Sequence, residues 1–166
     1  MPNATLQPEN TTITIQPLRL IEARRAHALF VDALTHHFGY FNTAYRQQVL
    51  AENTWWSMVK GVIHPRRLLL VAKDGSRVIG YVIGSIPPDQ HAQIYWLFVD
   101  PDYRGQNIGL ALLSRMLKVM RAKGAAKASL LTHDHAKYYA RQGFKLVRKE
   151  HDGKIDTYVL TYSLEP

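Results

Sequence analysis

The chain contains no cysteine, which excludes several kinds of site at once. Without thiols there is no disulfide, no thiolate ligand for zinc and no cysteine nucleophile. Long apolar runs are missing as well: none reaches the roughly 18 residues of a membrane span, and none resembles the core of a signal peptide. We therefore expect a cytoplasmic protein that does not associate with a membrane.

Acidic side chains are scarce. The chain has 21 Lys and Arg residues against 13 Asp and Glu, which gives a formal net charge of +8. Such a surplus attracts polyanions, from nucleic acids to nucleotide cofactors. The basic residues are scattered rather than clustered with aromatic residues, so we expect no specific nucleic-acid partner.

Linkers, internal repeats and low-complexity segments are also absent from the sequence. A length of 166 residues suits one domain with its own hydrophobic core. We predict a flexible segment at residues 1–10, which are polar, and a single domain over residues 11–166.

Motifs for metals and nucleophiles are equally sparse. His133, Asp134, His135 and His151 carry groups that bind metals, but neither a helical i, i+4 pair nor a cysteine accompanies them. We predict no metal site. The chain also lacks the Gly-x-Ser-x-Gly elbow of a serine hydrolase and the Gly-Lys-Ser/Thr of a Walker loop.

The most informative stretch is residues 94–117. Residues 94–99, IYWLFV, are apolar except for the phenol of Tyr95, which predicts a central strand. Asp-Pro-Asp at 100–102 ends that strand, because proline removes a donor and aspartate favours turns. Residues 109–123 then carry an apolar stripe at helical spacing, and Gly124 is placed to close the helix.

The turn between strand and helix reads Arg-Gly-Gln-Asn-Ile-Gly at 104–109. Small residues at a helix N-terminus let several backbone N–H groups converge on one point, which suits a phosphate or pyrophosphate. Arg104 adds a forked, charged donor. The alternative is that the glycines only make a tight turn.

Residues 99–113 resemble motif A of the GCN5-related N-acetyltransferases, written Arg/Gln-x-x-Gly-x-Gly/Ala. One position departs, since Asn107 stands where the family has its first motif glycine; asparagine is the residue that best tolerates a left-handed backbone after glycine. A second block, Tyr-Ala-Arg-Gln-Gly-Phe at 139–144, resembles the family's Tyr-x-x-x-Gly-Phe segment. The resemblance extends over roughly residues 68–164.

This resemblance implies a mixed α/β fold, α+β-like, in which a mostly antiparallel sheet splays between its fourth and fifth strands and about four helices flank it. It implies acetyl-CoA as co-substrate, with the pantetheine arm in the splay and the pyrophosphate on the turn. Tyr139 then matches the general acid that protonates the CoA thiolate. The implied cofactor-binding residues are Leu97, Phe98, Val99, Arg104, Gly105, Gln106, Asn107, Ile108, Gly109, Leu110 and Ala111.

The acceptor side is less defined by the sequence. The resemblance implies a primary amine of an unidentified small molecule, peptide or protein, bound by a monomer or homodimer. The family base is often an acid on the central strand, but Trp96 stands at that position. His91, Asp89, or a chain of aromatic groups and water remain as alternatives. Residues 36–42 are dense in aromatic and imidazole groups, which indicates either an acceptor wall or a helix corner.

A second class of function stays open from the sequence alone. The same fold can hold acyl-CoA without turnover, or present a basic surface to nucleic acid. The match at Tyr139 favours the enzyme.

The remaining elements follow from local patterns. Alternation predicts an edge strand at 11–16, and helical spacing predicts helices at 20–38 and 43–60. A hairpin is expected at 68–73 and 77–85 around Asp74-Gly75, with Gly80 and Gly84 on one face where something packs closely. Strands at 128–132, 145–150 and 155–164 and a helix at 135–142 complete the chain, with a turn at Asp152-Gly153.

Overall fold

The computed structural model describes residues 12–152 and 155–165. The predicted flexible segment at 1–10 and Gly153 of the predicted turn lie outside the described residues. Seven strands form one sheet in the order β1-β2-β3-β4-β5-β7-β6. The strands are β1 Ile13–Pro17, β2 Arg67–Asp74, β3 Arg77–Ser85, β4 His91–Val99, β5 Lys127–Thr132, β6 Lys145–Asp152 and β7 Ile155–Ser163. The helices are α1 Ala23–His36, α2 Thr43–Glu52, α3 Trp55–Ile63, α4 Ile108–Ala122 and α5 Ala136–Arg141, with 3₁₀ turns at Leu20–Glu22 and Pro101–Tyr103.

Neighbouring strands are antiparallel except for β4 and β5, which run parallel. Their pairing begins at His91 and Lys127 and stops after Ile94 and Leu130. Beyond that point the two strands no longer pair, although β4 continues to Val99. The predicted mostly antiparallel sheet with a splay between the fourth and fifth strands is therefore confirmed.

The sheet carries a hydrophobic core on each face, and β2 contributes to both. Leu68 and Leu70 join the cluster that includes α4, whereas Leu69 and Val71 join the cluster that includes α1. Successive side chains of a strand point to opposite faces, so a strand covered on both sides is apolar throughout. This explains the unbroken apolar runs of the central strands.

Two glycines of β3 allow α4 to approach the sheet. A Cβ atom on Gly80 would lie 3.2 Å from Leu112 Cδ1, and one on Gly84 would lie 2.8 Å from Met120 Cε. The backbone oxygens of Phe98 and Gln93 in β4 would be closer still, at 3.0 Å and 2.5 Å, so a side chain at either position would clash with the neighbouring strand as well as contact α4. The prediction that both glycines lie on one face against a close neighbour is confirmed.

The prediction of a single helix over 43–60 was wrong. The chain breaks into α2 and α3 at Asn53 and Thr54. Thr54 has an extended backbone, and its side chain accepts a hydrogen bond from the N–H of Ser57 at 3.3 Å. A threonine that caps a new helix offers the backbone an alternative to continuing the old one.

Gly124 ends α4 as expected. Its φ is +85°, and the N–H of Ala125 reaches back to the carbonyl of Met120 at 3.1 Å. This left-handed closure satisfies carbonyls that the helix would otherwise leave free. This closure defines the C-terminal end of α4. The N-terminal end of the helix directly follows the turn of residues 104–107.

A buried ion pair connects the first 3₁₀ turn to β2. Glu22 is only 2% exposed, and its carboxylate accepts hydrogen bonds from the ammonium of Lys73 and the guanidinium of Arg19. Burial alone would raise the pKa of Glu22, but the hydrogen bonds from Arg19 and Lys73 outweigh it and lower the pKa to about 2. The carboxylate is therefore charged at neutral pH.

Candidate functional site

The turn before α4 has a left-handed backbone at two positions. Gly105 has a φ of +79°, and Asn107, which is the N-cap of α4, has a φ of +60°. Glycine and asparagine are the two residues that adopt this conformation at least cost. The asparagine that departs from the family motif therefore has the backbone conformation that the sequence led us to expect.

The backbone N–H groups of this turn are available to a ligand. Among the residues that the structure describes, none accepts a hydrogen bond from the N–H groups of 105–110. The N–H of Ala111 differs, because it donates to the carbonyl of Asn107 at 2.9 Å. Free N–H groups and the positive end of a 15-residue helix favour an anion.

Arg104 lies beside these groups on the central strand's side. Its Nε donates to the backbone oxygen of Val99 at 3.2 Å, and its guanidinium carbon lies 5.6 Å from the centre of the Phe98 ring. These contacts hold the stem of Arg104 against β4 and leave its other donors for an anion.

Two grooves meet at this part of the molecule. The first, which we call the α4 groove, has a volume of about 680 Å³. It brings together Tyr139 and the predicted cofactor-binding residues except Gln106 and Ala111. Its lining from these sets is Leu97, Phe98, Val99, Arg104, Gly105, Asn107, Ile108, Gly109, Leu110 and Tyr139.

The second groove, which we call the aromatic groove, has a volume of about 460 Å³. It is formed by the segment between α1 and α2, the outer half of β4, and the end of β5. Part of the aromatic segment 36–42 therefore lines a groove. The sequence had left two interpretations of this segment open, a wall of the acceptor site and a simple helix corner. The residues that line both grooves are Phe38, Tyr40, Leu97, Asp134, His135 and Tyr139.

Tyr139 is the buried phenol of this junction. It lies on α5, is 9% exposed, and packs its ring 5.1 Å from Tyr138 and 5.8 Å from Phe144. Burial, and then the neighbouring Tyr138 and Asp134, raise the pKa of Tyr139 well above its ordinary value. The phenol is consequently protonated at neutral pH and can act only as a proton or hydrogen-bond donor toward a base.

Tyr40 and His133 also meet in the aromatic groove. Their ring centres are 4.9 Å apart, although the two residues are 93 positions apart in the sequence. Burial raises the pKa of Tyr40, with Asp134 and Tyr139 adding to the effect. From the sequence, Tyr40 was considered only as part of the aromatic segment 36–42 and His133 only as a possible metal ligand, because no pattern in the sequence shows that the two rings meet.

His133 has one ring nitrogen engaged by the neighbouring strand. Its Nδ1 lies 3.3 Å from the backbone oxygen of Asp156 and 3.2 Å from the hydroxyl of Thr157. A carbonyl oxygen can only accept, so the contact with Asp156 requires a proton on Nδ1, whereas the Thr157 hydroxyl can either donate to Nδ1 or accept from it. In the tautomer with the proton on Nδ1, Nε2 of the neutral ring has the free lone pair.

The bases considered from the sequence have different positions. Trp96 packs edge-on against Phe30, with ring centres 5.4 Å apart, and lines the aromatic groove. His91 lies 2.7 Å from the hydroxyl of Ser129, and Asp89 accepts from the N–H of His91 at 3.1 Å. Neither His91 nor Asp89 lines either groove. Both therefore lie outside the site.

Two of the histidines considered as metal ligands each lie beside one aspartate. His151 lies 2.8 Å from Asp156, and His135 lies 3.5 Å from Asp134. Over residues 12–152 and 155–165, no three His, Cys, Asp or Glu side chains are grouped as a metal ion would require.

No helix in those two ranges is long and apolar enough to cross a membrane.

Comparison with known proteins agrees with this geometry. The model of the acetyltransferase (GNAT) family matches residues 28–144, which is most of the chain. The chain belongs to the GNAT family. Curated GNAT relatives match a shorter stretch: an acetyltransferase of Sodalis glossinidius is 40% identical over 68 residues, which are 41% of this chain and 47% of the relative. An acetyltransferase of Pectobacterium atrosepticum is 38% identical over 72 residues, which are 43% of this chain and 50% of the relative. The chain spans about half the length of the curated relatives it matches.

Solved structures share the GNAT fold across nearly the whole chain. The PaiA N-acetyltransferase from Thermoplasma acidophilum in complex with coenzyme A has a TM-score of 0.78 at 20% identity, covering 92% of this chain and 99% of that one. The ribosomal-protein-S18-alanine N-acetyltransferase from Escherichia coli has a TM-score of 0.70 at 18% identity, covering 93% and 96%. At these identities the likeness concerns the fold, and it confirms the predicted GNAT architecture.

Proposed function

We propose that this chain is an N-acetyltransferase that moves an acetyl group from acetyl-CoA to a primary amine. The observation that supports this most is the position of Tyr139, a buried phenol where the α4 groove and the aromatic groove meet. One groove offers free N–H groups to a phosphate-bearing ligand, and the other offers aromatic walls to an acceptor. We include a cytoplasmic location in the proposal, with which the cysteine-free sequence is compatible.

The residues of the α4 groove fit acetyl-CoA. The N–H groups of 105–110 and the guanidinium of Arg104 would hold the pyrophosphate, because they combine free donors with positive charge. The unpaired edge of β4 near Leu97 and Val99 would hold the amide-bearing pantetheine arm. When bound, acetyl-CoA supplies a thioester carbonyl carbon, to which the new C–N bond forms as the C–S bond breaks.

Tyr139 would give its proton to the departing sulfur. A phenol near pKa 10 and a thiol near 8.5 differ by about 1.5 units, or roughly 2 kcal/mol against transfer in water. Burial raises the pKa of Tyr139 further. Burial at the same junction would also raise the pKa of the departing thiol. An ammonium acceptor loses two protons in the reaction: the first goes through a base to solvent, and the second restores the proton that Tyr139 gave to sulfur. The net products are therefore the amide, CoA thiol and one proton.

His133 would take the proton from the incoming ammonium. With its proton on Nδ1, directed at the backbone oxygen of Asp156, the neutral ring would have the Nε2 lone pair free to act as the base. His133 lines the aromatic groove together with Tyr139. This assignment supplies the base that Trp96, at the usual acidic position, does not provide.

The test combines binding with turnover. Calorimetry with acetyl-CoA measures the first step, and release of free CoA thiol on adding an amine panel measures the second. Saturable binding together with amine-dependent thiol release is the expected result. Binding without release for any amine would instead indicate an acyl-CoA-binding domain, and no binding at millimolar acetyl-CoA would reject both.

A further inference from the structure

The walls of the aromatic groove form a continuous set of rings. Phe41 is the centre of this set: its ring lies 4.5 Å from Tyr40, 4.6 Å from Tyr45, 5.6 Å from His133 and 6.3 Å from Trp96, measured between ring centres. Aromatic faces carry partial negative charge and attract a cation. A groove built this way can hold an alkylammonium group and an apolar body at once.

Full charges are almost missing from the same walls. Of the side chains that line the groove in the described residues, Asp134 is the only carboxylate, and none belongs to Lys or Arg. A ligand carboxylate would find no permanent cation there, and a second ligand ammonium would find no second carboxylate. Removing an unpaired charge from water is costly, so either group would weaken binding.

We propose that the acceptor is a monoamine with an aromatic or alkyl body, carrying neither a carboxylate nor a second ammonium group. This inference rests on the proposed acetyl transfer for its reaction, but the groove's selectivity can be measured by binding alone. The rings take the body of the amine, and Asp134 with the ring faces takes its single positive charge.

The net positive charge of the protein also favours an acceptor with a single positive charge. With a net charge of +8, the chain repels cations at long range, and a doubly charged amine more strongly than a singly charged one. The aromatic groove must therefore attract its amine locally, through rings and one carboxylate. A peptide rich in basic residues is correspondingly disfavoured.

Two matched pairs of amines test the proposal. 2-Phenylethylamine and phenylalanine differ by one carboxylate, and hexylamine and 1,6-diaminohexane differ by one ammonium group. We expect the first member of each pair to have at least about a tenfold higher kcat/KM, because the added charge enters the groove unpaired. Equal or reversed preference within both pairs would overturn the proposal and leave acetyl transfer itself standing.

Calorimetry of the same amines with the CoA-saturated protein gives a readout that does not need turnover. If no amine is acetylated but 2-phenylethylamine and hexylamine still bind at least about tenfold tighter than their partners, the acetyl-transfer proposal fails and the selectivity holds. If none of the four amines binds, the selectivity is overturned whatever the turnover.

Variants locate the effect in the groove. Tyr45→Ala removes a wall of the groove that is 42% exposed, and Trp56→Ala removes a comparably exposed ring of α3 that lines neither groove. We expect Tyr45→Ala to weaken 2-phenylethylamine binding about fivefold or more, and Trp56→Ala to leave it within twofold. An equal loss in both variants would mean that the amine binds elsewhere.

Discussion

The hydroxyl of Tyr138 lies 3.7 Å from the point that a Cβ atom on Gly109 would occupy, and Val99 Cγ2 lies at the same distance. Both are ordinary van der Waals separations. A small side chain at Gly109 therefore meets no clash within the protein, although it would project beside the N–H groups proposed to hold a phosphate. Position 109 can thus separate ligand binding from folding.

We expect Gly109→Val to weaken acetyl-CoA binding by about 100-fold or more, and Gly109→Ala to weaken it less. The branched side chain fills the space where the backbone would approach the phosphate. Calorimetry measures the effect, and thermal unfolding checks the fold. Ala122→Val places the same branched residue at the exposed end of α4 and should leave binding unchanged. Unchanged affinity in Gly109→Val would contradict the assignment of the turn.

Tyr139→Phe should lower kcat by roughly 100-fold or more, with the affinity for CoA little changed. The substitution keeps the ring against Phe144 and removes only the proton that the sulfur would receive. The measurement is turnover at saturating acetyl-CoA with chemistry rate-limiting. Tyr162→Phe is the matched control, since it deletes the hydroxyl of a tyrosine that lines neither groove. Similar rates for Tyr139→Phe and the wild type would mean that the thiolate leaves without a proton from Tyr139.

His133→Asn should lower kcat/KM about 100-fold near pH 7, by a factor that shrinks as the pH rises. The asparagine amide can still donate to the backbone oxygen of Asp156, but it has no basic nitrogen. Without the base, the reaction depends on amine that is already deprotonated, and that fraction grows tenfold per pH unit below a pKa of about 10. A loss that is constant from pH 6.5 to 9.5, or a large drop in the melting temperature, would indicate a structural role instead.

The buried carboxylate of Glu22 makes the protein acid-sensitive. Its folded pKa of about 2 lies below the ordinary value of 4.5, so its contribution to stability is complete above pH 4.5 and is lost as the pH falls toward 2. We expect the free energy of unfolding to decrease over that interval, as measured by urea denaturation. In Glu22→Gln that part of the pH dependence should disappear. A pH profile identical to that of the wild type would contradict the assignment.

Lys73 completes the same buried pair and can be tested separately. Among the described residues, Lys73→Met leaves the largely exposed Arg19 as the one cation in contact with Glu22, and we expect it to destabilise the fold by about 3–5 kcal/mol at pH 7. The double variant Glu22→Gln with Lys73→Met removes both charges and should recover part of that loss. If the double variant is less stable than Lys73→Met alone, the unpaired carboxylate is not the cause.

Much of the fold follows from local chemistry in the sequence. Gly75 and Gly124 mark turns through their backbone freedom, and the apolar run of residues 94–99 marks the central strand. The break between α2 and α3 escaped prediction because both helices have helical composition, and only the capping bond to Thr54 decides that a new helix begins there. Local competition of this kind leaves no periodic signal.

The site likewise has one part that is contiguous in the sequence and one part that only the fold brings together. The turn proposed to bind an anion is contiguous in sequence, so its residue types alone are enough to predict it. The aromatic groove joins Tyr40, Tyr139 and His133 from three separate elements, and their meeting depends on the register of β4 against β5. The role proposed for His133 depends on a carbonyl of β7, which no pattern in the sequence reveals.

The shared lining of the two grooves has a kinetic consequence. Because Tyr139 and its neighbours line both, the proposed function predicts that the two ligands bind at once with their reacting ends adjacent, and that neither groove has to empty before the other fills. No acylated protein side chain is then needed between them. Initial rates measured over both concentrations should give intersecting double-reciprocal lines, the pattern of a ternary complex, whereas parallel lines would require the acetyl group to rest on the protein.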